Sequence, residues 1–367
     1  MPLNSPHRVL LLGAGKIGRM IARLLVESGD YDVRVGDSSD EALARLQEQT
    51  DVPTVNIDAT QAQQVSDALA DRDSVISALS YHFNPLVAKC AVASGVNYFD
   101  LTEDVETTRL VREISAAAKP GTIMMPQCGL APGFISVVAN HLTRWFDKLD
   151  TVRMRVGALP QYPSNALKYN LTWSTDGLIN EYCNPCEAIH DGTRKEVLPL
   201  EGLESFSLDG VRYEAFNTSG GLGTLCESLD GKLRELNYKT IRYLGHRELA
   251  AFLVQELQLG RRRDLLKDIL EQSVPLTFQD VVVVFCTATG YRKGQFVQLS
   301  DARKIYSETL DDEPWSAIQI TTAAGICAAM DLFVTGKLAG QGFVRQEDMD
   351  LPVFLENRFG KAYGKEG

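Results

Sequence analysis

Short apolar runs and longer amphipathic stretches alternate along the chain from Arg8 to about Gln127. Val9–Leu12, Asp32–Val35, Thr54–Ile57, Ser74–Leu79, Tyr98–Leu101 and Ile123–Met125 are runs of the kind found in strands covered on both faces. Between them Lys16–Ser28, Asp40–Gln49, Ala62–Ala70, Leu86–Ser94 and Val105–Ala118 repeat apolar positions at helical spacing. Strand, helix, strand in repetition demands right-handed crossovers, so the pattern predicts an α/β fold with a doubly wound, mainly parallel sheet.

The character changes after Gly129. Phe134–Phe146 reads as a helix leaving the first domain, and Thr151–Leu159, Tyr238–Tyr243, Val281–Thr289 and Gln295–Leu299 read as strands. Arg292–Lys293–Gly294 suits a hairpin turn, while Leu249–Leu257 and Arg263–Gln272 suit helices. From Pro314 to about Lys337 small residues (Ala317, Ala323, Ala324, Gly325, Ala328, Ala329) mark a long helix, with Pro314 in its first turn and Gly336 at its end. A face of small side chains packs closely, so this helix is expected to return to the first sheet. The expected organisation is a doubly wound domain over 1–130, an inserted α+β domain over 131–312, and a returning helix and tail over 313–367.

Gly13-Ala14-Gly15-Lys16-Ile17-Gly18 is a G-x-G-x-x-G placed where a strand becomes a helix, and the next strand ends in Asp37, 19 positions after Gly18. That is the dinucleotide-binding fingerprint of a Rossmann domain. The first glycine allows the tight turn, the second lets the backbone approach a pyrophosphate, and the third lets helix and strand pack. The helix then offers its unpaired N–H groups to the phosphates. Asp37 would accept hydrogen bonds from the adenosine ribose and repel a 2′-phosphate. Ser38 and Ser39 follow rather than an arginine, so NAD is favoured over NADP. Strand order places Asp58 and Ala59 near the adenine, and Ala78, Leu79 and Ser80 near the pyrophosphate and nicotinamide ribose; helix capping is the alternative for each pair of strand ends.

Composition narrows the class. A net charge of −11 lacks the basic footprint a nucleic-acid binder needs. No run of 18 apolar residues appears, so no membrane span is expected, and the opening lacks the regions of a signal peptide, so a cytoplasmic location is expected. Seven cysteines in such a chain read as free thiols.

LLGAGKIG, SALSYHFNPLVAKCAVASGVNYFDL, MPQCGLAPGFISVVANHL, KYNLTWSTDGLINEY, EAFNTSGGLGTL and LNYKTIRYLGH together resemble the saccharopine dehydrogenase-like enzymes, nearest to the lysine 6-dehydrogenases of bacteria. The resemblance implies a Rossmann domain with an inserted α+β substrate domain and nicotinamide-dependent chemistry at a carbon bearing an amine. Oxidative deamination of lysine is the leading expectation. A saccharopine or carboxyspermidine reductase is the alternative, and a non-catalytic NAD-binding regulator is a third. By analogy with relatives, a small-molecule amino-acid substrate and self-association into a homo-oligomer are expected.

Amine oxidation needs a proton acceptor, a carboxylate anchor and access for water. A histidine has the right pKa, and His246, ending LNYKTIRYLGH, is the favoured one of five. Tyr81, Asp100 and Cys128 follow strands four, five and six at the edge where such sheets bind ligands; Asp100 is expected on the substrate amine and Cys128 beside the nicotinamide. Lys239 and Tyr243 share one strand face and Arg242 the other, and either cation could clamp a carboxylate, surface charge being the alternative. Asn170, Thr218, Ser219 and Gly220 are expected to make polar contacts to the amino-acid end. Cys183 and Cys186 with His190 lack the further ligand a zinc site requires, so they read as unrelated thiols and no metal is expected. Trp173 and Tyr182 read as core or pocket wall.

Overall fold

A computed structural model describes residues 5–364. The chain divides into two compact units, one of residues up to 130 with 322–364, the other of residues 131–321.

In the first unit the apolar runs become β1 (His7–Leu12), β2 (Tyr31–Asp37), β3 (Thr54–Asn56), β4 (Ser74–Ser77), β5 (Asn97–Asp100) and β6 (Ile123–Met125). They are ordered β6-β5-β4-β1-β2-β3 with every pairing parallel. A seventh parallel strand, Gly342–Phe343, pairs with β6; two residues carry no period, so the sequence pattern gave no sign of it. The connecting helices are α1 (Lys16–Ser28), α2 (Asp40–Gln47), α3 (Ala62–Leu69), α4 (Asn84–Ser94) and α5 (Val105–Ser115). Ser39 and Asp104 cap α2 and α5 by accepting the Ala42 and Thr107 N–H groups. Leu10, Leu12, Val75, Tyr98 and Met124 from the strands pack with Val65, Val87 and Val111 from the helices, each large side chain contributing roughly 1.5–3 kcal/mol by leaving water.

The second unit runs α6 (Phe134–Thr143), β7 (Lys148–Pro160), α7 (Thr175–Cys183), β8 (Cys186–His190), β9 (Thr193–Val197), β10 (Glu204–Leu208), β11 (Val211–Asn217), α8 (Leu225–Ser228), β12 (Glu235–Tyr243), α9 (His246–Ala251), α10 (Arg263–Ser273), β13 (Asp280–Arg292) and β14 (Gln295–Tyr306). Its mixed sheet is ordered β10-β11-β12-β7-β13-β14, with β8 and β9 branching from β12. Lys293 and Gly294, both at positive φ, turn β13 into β14, the backbone a tight hairpin needs. The helix expected over Leu249–Leu257 begins earlier, at His246, and becomes a π-helical turn at Phe252–Glu256. α7 and the four strands β8–β11 were not anticipated, because their segment is turn-rich and partly exposed.

The last long helix, α11, spans Ala317–Val334. Pro314 is not in its first turn. It lies in a ribbon strand, Glu313–Trp315, paired with Glu308–Leu310. The helix head is capped instead by the distant Asp280, whose carboxylate accepts the Ala317 and Ile318 N–H groups at 2.5 and 3.1 Å. Gly336 stands in the left-handed region at φ +71°, as expected of the residue past a helix end. A Cβ at Gly325 would lie 2.7 Å from the Gly129 carbonyl oxygen and 2.8 Å from that of Cys128, so glycine there permits backbone contact. Contrary to the expectation from apolar runs, α11 is long and apolar enough by length and composition to cross a membrane; 83% of it is buried inside the protein, as in a core helix.

Candidate functional site

β1 delivers the chain to Gly13, whose φ of +105° only glycine adopts readily. A Cβ there would lie 2.8 Å from the Ala78 carbonyl oxygen, and one at Gly18 would lie 1.9 Å from that of Gly13. Both glycines are therefore required by the contact of turn, helix and β4. Gly15 differs: nothing stands within 4 Å of the position its Cβ would take. It is the N-cap of α1, without a side-chain cap or an acidic residue in the first turn. The head of a 13-residue helix is thus left to whatever approaches over Gly15, with Lys16 exposed and Ile17 half-buried beside it. Asp37, at the end of β2, accepts the Ala14 N–H at 2.7 Å and the Ser39 N–H at 2.9 Å. The carboxylate is held against the glycine turn, where ribose hydroxyls would be met.

The other nucleotide-side positions behave differently. Ala78 forms the wall under Gly13, and Leu79 lies 3.4 Å from the same point. Ser80 has a buried Oγ with no partner among the described residues. Asp58 is bound up locally, accepting the Thr60 N–H at 2.9 Å and Oγ1–H at 2.7 Å, bonds that lower its pKa. It closes a turn ahead of α3, and Ala59 beside it is buried.

Asp100 requires a correction. It is wholly buried, and its carboxylate accepts the Tyr98 hydroxyl at 2.6 Å and the Thr102 and Gln127 N–H groups at 2.9 Å. These contacts clasp the ends of β5 and β6 and hold Gln127 at φ +64°, so no oxygen is offered to a substrate amine. Burial pushes its carboxyl up to about 6. Cys128 is buried too, its thiol donating to the Met125 carbonyl at 3.1 Å. Burial, with the Asp100 charge, drives its pKa far up. Tyr81 opens a short 3-10 turn, half-buried, its ring edge-on to His82.

In the second unit, Arg242 and His246 come together around a residue the sequence pattern had assigned to packing, Tyr182. Arg242 sits on the buried face of β12 with Tyr238 and Thr240, as strand alternation demands. Its Nε donates to the Tyr182 hydroxyl oxygen at 3.0 Å and its Nη1 to the Ile241 carbonyl at 2.9 Å. His246 Nε2 lies 2.9 Å from the Tyr182 hydroxyl and Nδ1 2.7 Å from the Leu167 carbonyl oxygen. The imidazole is stacked on Phe216 and edge-on to Tyr169, and the guanidinium lies 4.8 Å over the Tyr169 ring. Burial, then the Arg242 charge, lowers His246 to about 3. It remains neutral with both nitrogens engaged, so the expected proton acceptor is instead a fixed structural link.

Arg242 is only 3% exposed, and the Glu181 carboxylate acts on it electrostatically. Lys239, the other proposed clamp, is occupied: its ammonium bonds Glu204 at 2.8 Å and the Gly202 carbonyl, and Glu204 also pairs with Arg155. Tyr243 donates to the Pro160 carbonyl and stacks on Tyr213; it and Lys239 are thus both engaged within the second unit. Thr218 Oγ1 bonds Thr240 Oγ1 at 2.7 Å, Ser219 Oγ bonds the Pro185 carbonyl at 2.9 Å, and Gly220 turns the chain at φ +86°. These three shape the loop after β11 from within. Asn170 retains a buried, unpartnered Oδ1. A small apolar cavity, about 30 Å³, adjoins Tyr169, Tyr182 and His246. Cys183 and Cys186 form no disulfide, and His190 turns to Glu235 and Asp191, where Arg234 already neutralises Glu235 at 3.0 Å.

Comparison with known proteins matches the chain to two domain descriptions in order. Residues 9–125 match the saccharopine dehydrogenase NADP binding domain and residues 129–360 the saccharopine dehydrogenase C-terminal domain. Among curated relatives, the bovine (Bos taurus) mitochondrial alpha-aminoadipic semialdehyde synthase is 25% identical over 98% of this chain, which spans 40% of that protein's length. The Saccharomyces cerevisiae saccharopine dehydrogenase [NADP(+), L-glutamate-forming] is 24% identical over 83% of this chain and 69% of its own. The solved apo structure of the L-Glu-forming yeast saccharopine dehydrogenase superposes with a TM-score of 0.79 at 19% identity, covering 98% of both chains, and so shares the fold. With both domain descriptions matched in order over nearly its whole length, the chain belongs to the saccharopine dehydrogenase family.

Proposed function

We propose that this protein is a nicotinamide-dependent dehydrogenase of lysine metabolism that oxidises, or in reverse forms, a carbon–nitrogen bond of an amino-acid substrate. The observation that carries this reading is the Gly13–Gly18 turn, open over Gly15 at an uncapped helix head and flanked by Asp37. A dinucleotide bound there supplies the hydride acceptor or donor. The backbone over Gly15 and the α1 N–H groups hold its diphosphate, and Asp37 accepts its ribose hydroxyls, which favours NAD; the matched family description, by contrast, names NADP. In the second unit the buried Arg242 supplies the anchor for a substrate carboxylate.

A secondary amine of the saccharopine type is the preferred substrate class, supported by the names of the curated relatives. Oxidative deamination of lysine at its terminal amine is the second reading, supported by the KYNLTWSTDGLINEY and LNYKTIRYLGH stretches. In either case hydride leaves the amine-bearing carbon, a proton leaves nitrogen, and water adds to the imine and releases the amine. Saccharopine, lysine, a carboxyspermidine and simple diamines assayed for NADH or NADPH production decide among them. Turnover of saccharopine alone supports the first reading and of lysine alone the second. Tight dinucleotide binding without turnover of any of them refutes both in favour of a regulator.

A further inference from the structure

We propose that Tyr182 and His246 are positioning residues that hold the Arg242 guanidinium in the one orientation that presents its free donors to a substrate carboxylate. This rests on the amino-acid dehydrogenase reading above, and it concerns residues of the second unit only.

The donor directions leave one consistent arrangement. Arginine only donates, so the Tyr182 oxygen accepts from Arg242 Nε. The Tyr182 proton must then go to His246 Nε2, its other neighbour. Nε2 is therefore an acceptor, and the imidazole proton lies on Nδ1, donated to the Leu167 carbonyl, which can only accept. A cation at one end and a carbonyl at the other fix the tautomer between them.

The same contacts fix the guanidinium plane. Nε and one Nη1 proton are held by Tyr182 and Ile241, while Tyr169 lies against the face. Nη2 and the second Nη1 proton have no partner among the described residues. These are the donors that grip a carboxylate bidentately. A buried guanidinium with donors left unpaired is costly to keep. The Glu181 carboxylate acts on it electrostatically, and the other groups around it, Tyr169, Tyr182, Tyr238 and His246, are neutral. What the site leaves open is hydrogen bonding: the remaining guanidinium donors are placed to be taken by a substrate carboxylate. Two variants separate positioning from plain packing. Tyr182→Phe keeps the ring and removes the oxygen that orients Nε. His246→Gln keeps an acceptor for Tyr182 and a donor for Leu167, whereas His246→Phe keeps only the stacking on Phe216.

The experiment measures saccharopine and lysine binding by calorimetry on the cofactor-loaded full chain, with kcat and KM, for wild type and these variants. Tyr182→Phe and His246→Phe should weaken binding of the accepted amino acid about tenfold or more, seen in KM with kcat little changed and dinucleotide affinity unaltered. His246→Gln should recover most of the loss. The 15N spectrum of His246 in the wild type should show a neutral ring protonated on Nδ1 throughout about pH 5–8, a test that needs neither activity nor a variant. Wild-type affinity in Tyr182→Phe, or an Nε2-protonated or charged His246, would overturn the positioning role. Absence of amino-acid binding to the wild type overturns the dehydrogenase reading itself, a result distinct from the other two.

Discussion

The buried Asp100 gives the sharpest test of the forces at the edge of the first sheet. Desolvation raises its carboxyl to about 6 against an ordinary 3.8, although the hydroxyl of Tyr98 and the N–H groups of Gln127 and Thr102 pull the other way. Burial wins because no cation pairs with this carboxylate among the described residues. The native state therefore retains a proton that the unfolded chain has lost between the two values. Stability from this group is full below the unfolded pKa and declines as pH rises through the folded one. A shift of about two units corresponds to about 3 kcal/mol. For a unit of this size that is roughly 6–12 °C in Tm. Asp100→Asn has the shape of the protonated acid and nothing to titrate. Its Tm should match wild type at about pH 4 and exceed it by roughly 6–12 °C at pH 7, measured by thermal denaturation of the two proteins in parallel buffers. Tm curves that stay parallel across this range would refute the claim that burial dominates. Asp100→Ala, which leaves three donors unpaired, should be destabilised at every pH, by about 1–3 kcal/mol for each orphaned group.

Three further outcomes follow from contacts in the first unit. Gly18→Ala forces a Cβ to within 1.9 Å of the Gly13 oxygen, so dinucleotide affinity should fall by more than about tenfold in a fluorescence titration with NADH. Asp37→Ala should shift the NAD-to-NADP affinity ratio toward NADP by about tenfold or more; an unchanged ratio removes Asp37 from the ribose. Asp331→Ala strips the carboxylate that receives Tyr31 and Asn357 at 2.6 Å and two nitrogens of Arg358. It should cost about 3–5 kcal/mol in denaturant titration, loosening the C-terminal segment from the first sheet.

The first unit was legible because its information is local. Each strand from β1 to β6 is an apolar run between turn residues, each helix a periodic stretch, and the glycine turn with Asp37 lies within one strand–helix–strand unit. What escaped there was set by long-range contact. Pro314 looked like a helix start, yet the cap of α11 is Asp280, 37 residues before Ala317. Gly342–Phe343 is a strand only because β6 offers it an edge.

The substrate-side residues fared worse for a related reason: chemical type says what a side chain can do, whereas its partners decide what remains for it to do. Lys239 and Arg242 were equivalent as cations in one strand. Glu204, from β10, occupies the first, while the second faces tyrosine rings and a neutral imidazole and keeps donors unbonded among the described residues. His246 had the right intrinsic pKa for a base until burial and Arg242 removed its affinity for a proton. Tyr182, passed over as an aromatic wall, joins the two because its hydroxyl can accept from one and donate to the other. Alternation along β12 already put Arg242 on the face opposite Lys239. Only the packing of α7 and α9 against that face could say which of the two cations was left to bind a ligand.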